Sequence, residues 1–293
     1  MQLARLSTSD GPRMVVTDTD LHNAHVVTIA GNAFDDLPAL LAAADGDIAR
    51  IEAGAEVQFE PTDLVSVVGR PRKVICIGLN YRGHAAETKS PLPEQPILFP
   101  KWDNALTGPY DDVPLPPEST FVDWEAELAF VFGRRCRRVN AADAASVVFG
   151  FTAANDLSMR DFQMASSQWA AGKSWDRGTA VGPVVVDTAA IGTVAPDLAI
   201  VGRRNGQVTQ DSRTNDLIFG VPALVEYITT VMTMEPGDIV LTGTPSGVGM
   251  VTPDAGGLQP GDVYEVEIEG IGTIRNRFVA ESDWVPRAKV PAR

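Results

Sequence analysis

Glu125-Ala126-Glu127-Leu128-Ala129-Phe130-Val131-Phe132 is the stretch on which the reading of this chain turns. From Ala126 onward it is an apolar run of strand length, interrupted by one carboxylate and preceded by another. In a strand, residues two apart point to the same face, with Cα atoms roughly 6.5 Å apart. Glu125 and Glu127 therefore face one side. Two carboxylates converging in a core repel each other and lose hydration unless a cation or a proton joins them. Asp156 ends a second run of this kind, Phe151-Thr152-Ala153-Ala154-Asn155-Asp156. Three carboxylates with open positions suit a hard divalent ion such as Mg²⁺, which prefers oxygen ligands and retains waters. The same residues also fit an exposed strand edge with Asp156 as a helix N-cap, and spacing alone favours that plainer arrangement.

Outward from this stretch, further apolar runs read as strands: Ala24 to Ala30, Lys73 to Leu79, Ile97 to Phe99, Val181 to Val186, Asp238 to Leu241, Val263 to Ile268 and Ile271 to Phe278, with Val57 to Leu64 as a strand or extended edge. Helices are expected at Phe34 to Ala44, Ala141 to Val148, around Leu157 to Ser166, and at Ile218 to Met232. Many strands with scattered helices, lacking regular βαβ alternation, predict a β-rich α+β fold. Gly69-Arg70-Pro71-Arg72 breaks the pattern. It divides a small N-terminal domain, 1–70, from a larger domain, 71–293.

Composition narrows the partners. The 293 residues carry 24 Lys and Arg against 38 Asp and Glu, a formal charge of −14. That balance argues against nucleic acid and anionic membranes, which need clustered positive charge. The one basic run, Arg134-Arg135-Cys136-Arg137-Arg138, reads as a solvated turn. Met1 to Pro12 has no apolar leader core, and no run approaches 18 apolar residues. Cys76 and Cys136 form no CxxC or Cys/His spacing. A cytoplasmic enzyme with reduced thiols is expected.

Three more constellations could carry chemistry. In Asn80-Tyr81-Arg82-Gly83-His84-Ala85-Ala86-Glu87, His84 and Glu87 would face each other on one helical turn. A carboxylate on one imidazole nitrogen fixes the tautomer and leaves the other nitrogen as a base. With Gly83 before it and Pro91-Leu92-Pro93 after it, this segment could be a lid; a surface turn with an ordinary ion pair fits these residues equally. Arg160-Asp161-Phe162-Gln163 and Gly172-Lys173-Ser174 offer an arginine for a substrate carboxylate, and a lysine and an amide for a developing oxyanion. Position 167 is Ser, so Gly172-Lys173-Ser174 is no P-loop. Thr242-Gly243-Thr244-Pro245-Ser246-Gly247-Val248-Gly249 could bring backbone N–H groups and the Thr244 hydroxyl to an anion.

The order of NYRGHAAE, VDWEAELAF, NDLSMRDFQ, GKSWD and GDIVLTGTPSGVG along Lys73 to Phe278 resembles the fumarylacetoacetate hydrolase family. The resemblance implies a mixed β-roll catalytic domain behind a small N-terminal domain, usually in a homodimer. It implies Mg²⁺ or Mn²⁺ on Glu125, Glu127 and Asp156, a lid dyad in His84 and Glu87, and oxyanion stabilisation by Lys173 and Gln163. Arg160 and Thr244 fall in segments that contact substrate oxygens. Departures at Trp169-Ala170-Ala171-Gly172 and Arg177-Gly178-Thr179-Ala180 remove no metal or dyad residue. The expected activity is Mg²⁺-dependent hydrolysis of a C–C bond in a small anionic 1,3-dicarbonyl or 2-oxo acid, such as an acylpyruvate. An isomerase, tautomerase or decarboxylase at the same site is the alternative. A non-catalytic ligand-binding protein on the same fold is a third reading, and the presence of every metal carboxylate and of Lys173 weighs against it.

Overall fold

The computed structural model describes residues 1–252 and 254–285. Its largest sheet runs Asn32–Ala33, Ala24–Ile29, Gly11–Thr17, Gln2–Thr8, Thr179–Asp187, Val148–Asp156, Ala126–Phe132, Ile239–Leu241, Val74–Gly78 and Ile97–Lys101. Glu52–Val57 pairs with Ala24–Ile29, and Leu106–Thr107 with Thr179–Asp187. A second sheet orders Gln207–Arg213, Ala199–Arg204, Val263–Ile268, Gly272–Ala280 and Val113–Leu115. Helices are short and peripheral, and the longest among the described residues is Val221–Val231. The fold is β-rich α+β. Gln2 and Leu3 pair with Val186 and Val185, so the N-terminal strands continue the large sheet.

The central strands have no exposed face. Every residue of Ala126–Phe132, Val148–Asp156 and Thr179–Asp187 is buried. Strand alternation divides their side chains between two cores. Ala126, Leu128, Phe130 and Phe132 join Ile200, Val266, Ile274 and Phe278 of the second sheet. Ala129 and Val131 join Leu37, Leu40 and Leu41 of the helix Leu37–Ala44. Three strands carry that second face into charge at one end. Ala129 is followed backward by Glu127, Ala154 forward by Asp156, and Phe99 forward by Lys101, each two residues on. The fold thus delivers polar groups from separate strands to one corner of an otherwise apolar layer.

Several expected elements differ. Val57 to Leu64 is not a strand: the strand ends at Val57, and Pro61–Asp63 is a 3₁₀ turn closed by the Asp63 carboxylate on the Glu60 N–H. Ala141 to Val148 gives a 3₁₀ helix, Ala141–Ser146, before the strand that begins at Val148. Leu157 to Ser166 keeps only Arg160–Met164 as helix, because Ser158 and Met159 pair with Asp123 and Val122 and stay extended. Asp156 is the last residue of its strand and caps no helix. The hairpins Gln2–Thr8 with Gly11–Thr17 and Ala199–Arg204 with Gln207–Arg213 carry no strong apolar alternation. In the basic run, Arg137 Nη1 donates to the Thr229 and Thr230 carbonyls at 2.5 Å each. It caps the C-terminal end of Val221–Val231, where a cation meets the negative end of the helix dipole.

Candidate metal centre and active site

Antiparallel register builds the acidic corner. Ala126 pairs with Asn155 and Glu127 with Ala154, while the Asp156 N–H donates to the Glu125 carbonyl at 2.9 Å. One oxygen from each of Glu125, Glu127 and Asp156 lies within 4.8 Å of the others, and all three residues are buried. Three cations surround them. Lys173 Nζ donates to Glu125 Oε2 at 2.6 Å and to Asp156 Oδ2 at 3.0 Å. Lys101 Nζ donates to Asp156 Oδ1 and to the Leu157 carbonyl. Arg160 places Nη1 2.8 Å from Glu125 Oε1, and its Nε donates to Asp123 Oδ2 at 2.8 Å. The same Nη1 donates to Gln163 Oε1 at 2.8 Å.

The helix Ala170–Lys173 packs against Arg160–Met164 at Gly172, beside Gln163. A Cβ on Gly172 would stand 2.5 Å from the Gln163 backbone N, so only glycine lets Ala170–Lys173 approach Arg160–Met164 this closely. The ammonium also lies 5.3 Å from the centre of the Phe99 ring.

These contacts divide the acids. Burial pushes the Glu125 carboxyl up, but Lys173 and Arg160 outweigh it and hold Glu125 down to about 2. Glu127 forms no ion pair among the described residues, and Lys173 only partly offsets its surroundings. Burial, with Asp156 and Glu125 beside it, holds it well above the usual carboxylate range. Burial disfavours the charged form of Lys173, yet Asp156 and Glu125 prevail and raise its pKa, so the ammonium stays protonated.

The segment expected as a lid forms a helix, Arg82–Glu87. His84 Nδ1 lies 2.6 Å from Glu87 Oε1. Glu87 Oε2 accepts the Gly247 N–H at 2.8 Å, so the dyad rests on the glycine-rich loop. Gly247 has φ +100, and a Cβ there would meet the Thr209 carbonyl oxygen at 1.9 Å. The helix is also held by Asp216, whose Oδ2 accepts the Gly83 N–H at 2.9 Å. His84 is near enough to Glu125 to act on it electrostatically. In the same loop the Gly243 N–H donates to Glu127 Oε2 at 2.7 Å. The Thr244 hydroxyl donates to the Ala126 carbonyl at 3.0 Å.

The structure therefore brings Glu125, Glu127, Asp156, Arg160, Gln163 and Lys173 into one cluster. His84 and Glu87 sit at its side, and Thr244 turns inward to the strand of the acids. Sequence reading missed Lys101, Asp123 and Gln210. Strand alternation could have found two of them, since Lys101 follows Phe99 by two residues and Asp123 precedes Glu125 by two. Asp123 Oδ1 accepts the Gly249 N–H at 2.7 Å, which ties the loop to Arg160.

The donor set fits a hard divalent cation. Oxygens about 2.1 Å from Mg²⁺ lie about 3.0 Å apart when adjacent and about 4.2 Å when opposite. A small side-chain adjustment brings carboxylates within 4.8 Å to that spacing. Four buried carboxyl groups, with Asp123 included, face three buried cations, so the cluster carries one excess negative charge once Glu127 gives up its proton. The Tyr81 hydroxyl, buried and close enough to Glu127 to respond to its charge, has no hydrogen-bond partner among the described residues. A buried hydroxyl without a partner marks a position where a bound group or water is accommodated.

No helix among the described residues is long and apolar enough to cross a membrane. The mitochondrial oxaloacetate tautomerase of Bos taurus is 44% identical over 214 residues, 72% of this chain and 68% of that protein. Its Homo sapiens counterpart is 40% identical over 237 residues, 79% and 75% of the two chains. Among solved structures, 5-carboxymethyl-2-hydroxymuconate delta-isomerase from Mycobacterium smegmatis superposes with a TM-score of 0.77. It is 33% identical, over 96% of this chain and 100% of that one. A fumarylacetoacetate hydrolase from Exiguobacterium antarcticum gives a TM-score of 0.80 at 28% identity, over 96% and 99%. The family described as fumarylacetoacetate (FAA) hydrolase C-terminal matches residues 73–279. With five ordered motifs, their convergence on one buried acidic corner and this match over most of its length, the chain belongs to the fumarylacetoacetate hydrolase family.

Proposed function

We propose that this protein is a divalent-metal-dependent tautomerase or isomerase that relocates a proton on a small anionic 2-oxo acid, with an oxaloacetate-like substrate. The observation that carries the reading is the His84–Glu87 pair at 2.6 Å, anchored through Gly247 beside the acidic corner. Glu87 fixes Nδ1, so Nε2 is the nitrogen left to take and return a proton. Relatives called oxaloacetate tautomerase and a neighbour called a delta-isomerase both carry names that denote proton relocation. They support this reading better than the hydrolase expectation.

Glu125, Glu127 and Asp156 would hold a divalent ion, Mg²⁺ or Mn²⁺, which when bound would supply Lewis-acid polarisation of the oxygens of a 2-oxo acid. The chain's own residues do the rest. His84 removes the proton from the carbon next to the keto group. Negative charge then develops on the keto oxygen. Lys173 has three N–H donors, of which Glu125 and Asp156 take two. The third is available to that oxygen, together with the amide N–H of Gln163. Arg160 borders the same space and orients the substrate oxygens, while the Thr244 hydroxyl is spent on the Ala126 carbonyl and holds the loop to the strand of the acids. His84 returns the proton at its new position.

Hydrolysis is the second reading, because a carboxylate-oriented imidazole also activates water. Proton NMR of product mixtures separates the two, with enol-oxaloacetate and acetylpyruvate offered with and without Mg²⁺. Metal-dependent enol-to-keto conversion without bond cleavage is the expected result. Acetate and pyruvate from acetylpyruvate, with no acceleration of the enol conversion, would replace the tautomerase by the hydrolase. A homodimer in a cytoplasmic setting belongs to the same proposal. Sedimentation and cell fractionation test it, the latter pointedly because the bovine and human relatives are called mitochondrial.

A further inference from the structure

Gln210 lies outside every motif that marks the site, on the strand Gln207–Arg213 of the second sheet, where its neighbours are mostly exposed. Its own side chain is 1% exposed. A buried amide has to satisfy both of its ends, and this one does so fully. Gln210 Oε1 accepts the Ala126 N–H at 2.9 Å and the Tyr264 hydroxyl at 2.9 Å. Its Nε2 donates to Thr244 Oγ1 at 2.8 Å and to the Pro245 carbonyl at 2.8 Å. Ala126 N can only donate and the Pro245 carbonyl can only accept, so the amide has one orientation.

The two ends reach different parts of the site. Ala126 lies between Glu125 and Glu127, and its N–H belongs to the peptide that joins it to Glu125. Thr244 and Pro245 belong to the loop that holds Glu127 through the Gly243 N–H and Glu87 through the Gly247 N–H. Tyr264 stacks on Trp124, and Trp124 Nε1 donates to the Gly247 carbonyl at 3.0 Å. That second route returns to the same loop.

We infer that Gln210 is a positioning residue that couples cation binding at the acidic corner to docking of the His84–Glu87 lid. This rests on the reading of Glu125, Glu127 and Asp156 as cation ligands. Through one rigid amide, the spacing of two ligands and the seat of the lid are set together. Two sites biased through one element are linked reciprocally. Mg²⁺ therefore protects the lid, and loss of Gln210 weakens both the binding and the protection.

The test combines calorimetric titration of Mg²⁺ with amide hydrogen exchange over residues 82–90, on the full chain. In the wild type, Mg²⁺ binds and slows exchange of the lid amides. Gln210→Leu removes all four bonds with little change of volume, and is expected to weaken Mg²⁺ at least tenfold and to abolish most of that protection. Thr244→Val removes one of the two loop-side bonds, leaving the Pro245 carbonyl, and is expected to do the same in lesser degree, which keeps the test decisive should Gln210→Leu not fold. A folded variant that binds Mg²⁺ within twofold of wild type, with lid protection unchanged, overturns the inference while leaving the metal reading intact. Failure of the wild type to bind Mg²⁺ or Mn²⁺ removes the metal reading and the coupling with it.

Discussion

The acidic corner and the lid solve opposite problems. Lys101, Lys173, Glu125, Asp156 and Arg160 have side chains at most 8% exposed, and each is gripped by ion pairs to residues distant in sequence. His84 and Glu87 keep 12% and 21% exposure, and their helix of six residues is fastened by a few hydrogen bonds to loops. Buried charges hold their geometry because moving one leaves another unpaired in a medium of low dielectric. A lightly fastened helix can detach without that penalty. The corner is therefore held rigidly by its charges, and the Arg82–Glu87 helix is the more lightly fastened of the two.

Lys173→Met strikes this contrast hardest. It leaves Glu125 and Asp156 buried with a cation missing, which is expected to cost about 3–5 kcal/mol of stability, read by urea denaturation, along with the activity. His84→Ala is expected to lower kcat by about 10²–10⁴ while thermal unfolding and Mg²⁺ affinity stay at wild-type values. A melting temperature that falls with the rate would make the lid part of the frame.

Proton linkage sharpens the difference inside the corner. Glu127 is held above the usual carboxylate range, so a cation that binds it displaces a proton, and Mg²⁺ affinity is expected to rise with pH. Titration in buffers of different ionisation enthalpy counts that proton. Glu125 is held down to about 2, below its unfolded value. The unfolded chain then binds more protons in that range, so the stability Glu125 contributes is complete above about 4.5 and is lost as pH falls towards 2. Glu125→Gln is expected to flatten the acid limb of a denaturation series. Arg137→Ala is the smallest effect: about 0.3–1 kcal/mol from the helix end it caps, with turnover unchanged.

The acids themselves were legible. Alternation in Glu125-Ala126-Glu127 and the polar end of the run closing at Asp156 announce one face, and the His84–Glu87 spacing announces a helical pair. Spacing did not show their convergence, which only the family resemblance implied, because it depends on the register of Ala126 against Asn155, and register belongs to the assembled sheet. Lys101 needed the same sheet to reach Asp156 from 55 positions away. Gln210 had no signal at all: its strand reads QVTQDSR, polar but for Val208, and its burial comes from the loop packed across it. The helices expected at 141–148 and 157–166 are shorter than expected because strand pairing claims Val148, Ser158 and Met159.

The most direct test of the central claim is deuterium incorporation at the carbon next to the keto group of oxaloacetate, followed by proton NMR in D₂O with Mg²⁺. The wild type is expected to accelerate exchange well above the buffer rate, and His84→Ala to lose that acceleration while still binding Mg²⁺. Exchange by His84→Ala at the wild-type rate would contradict a proton carried by the His84–Glu87 pair.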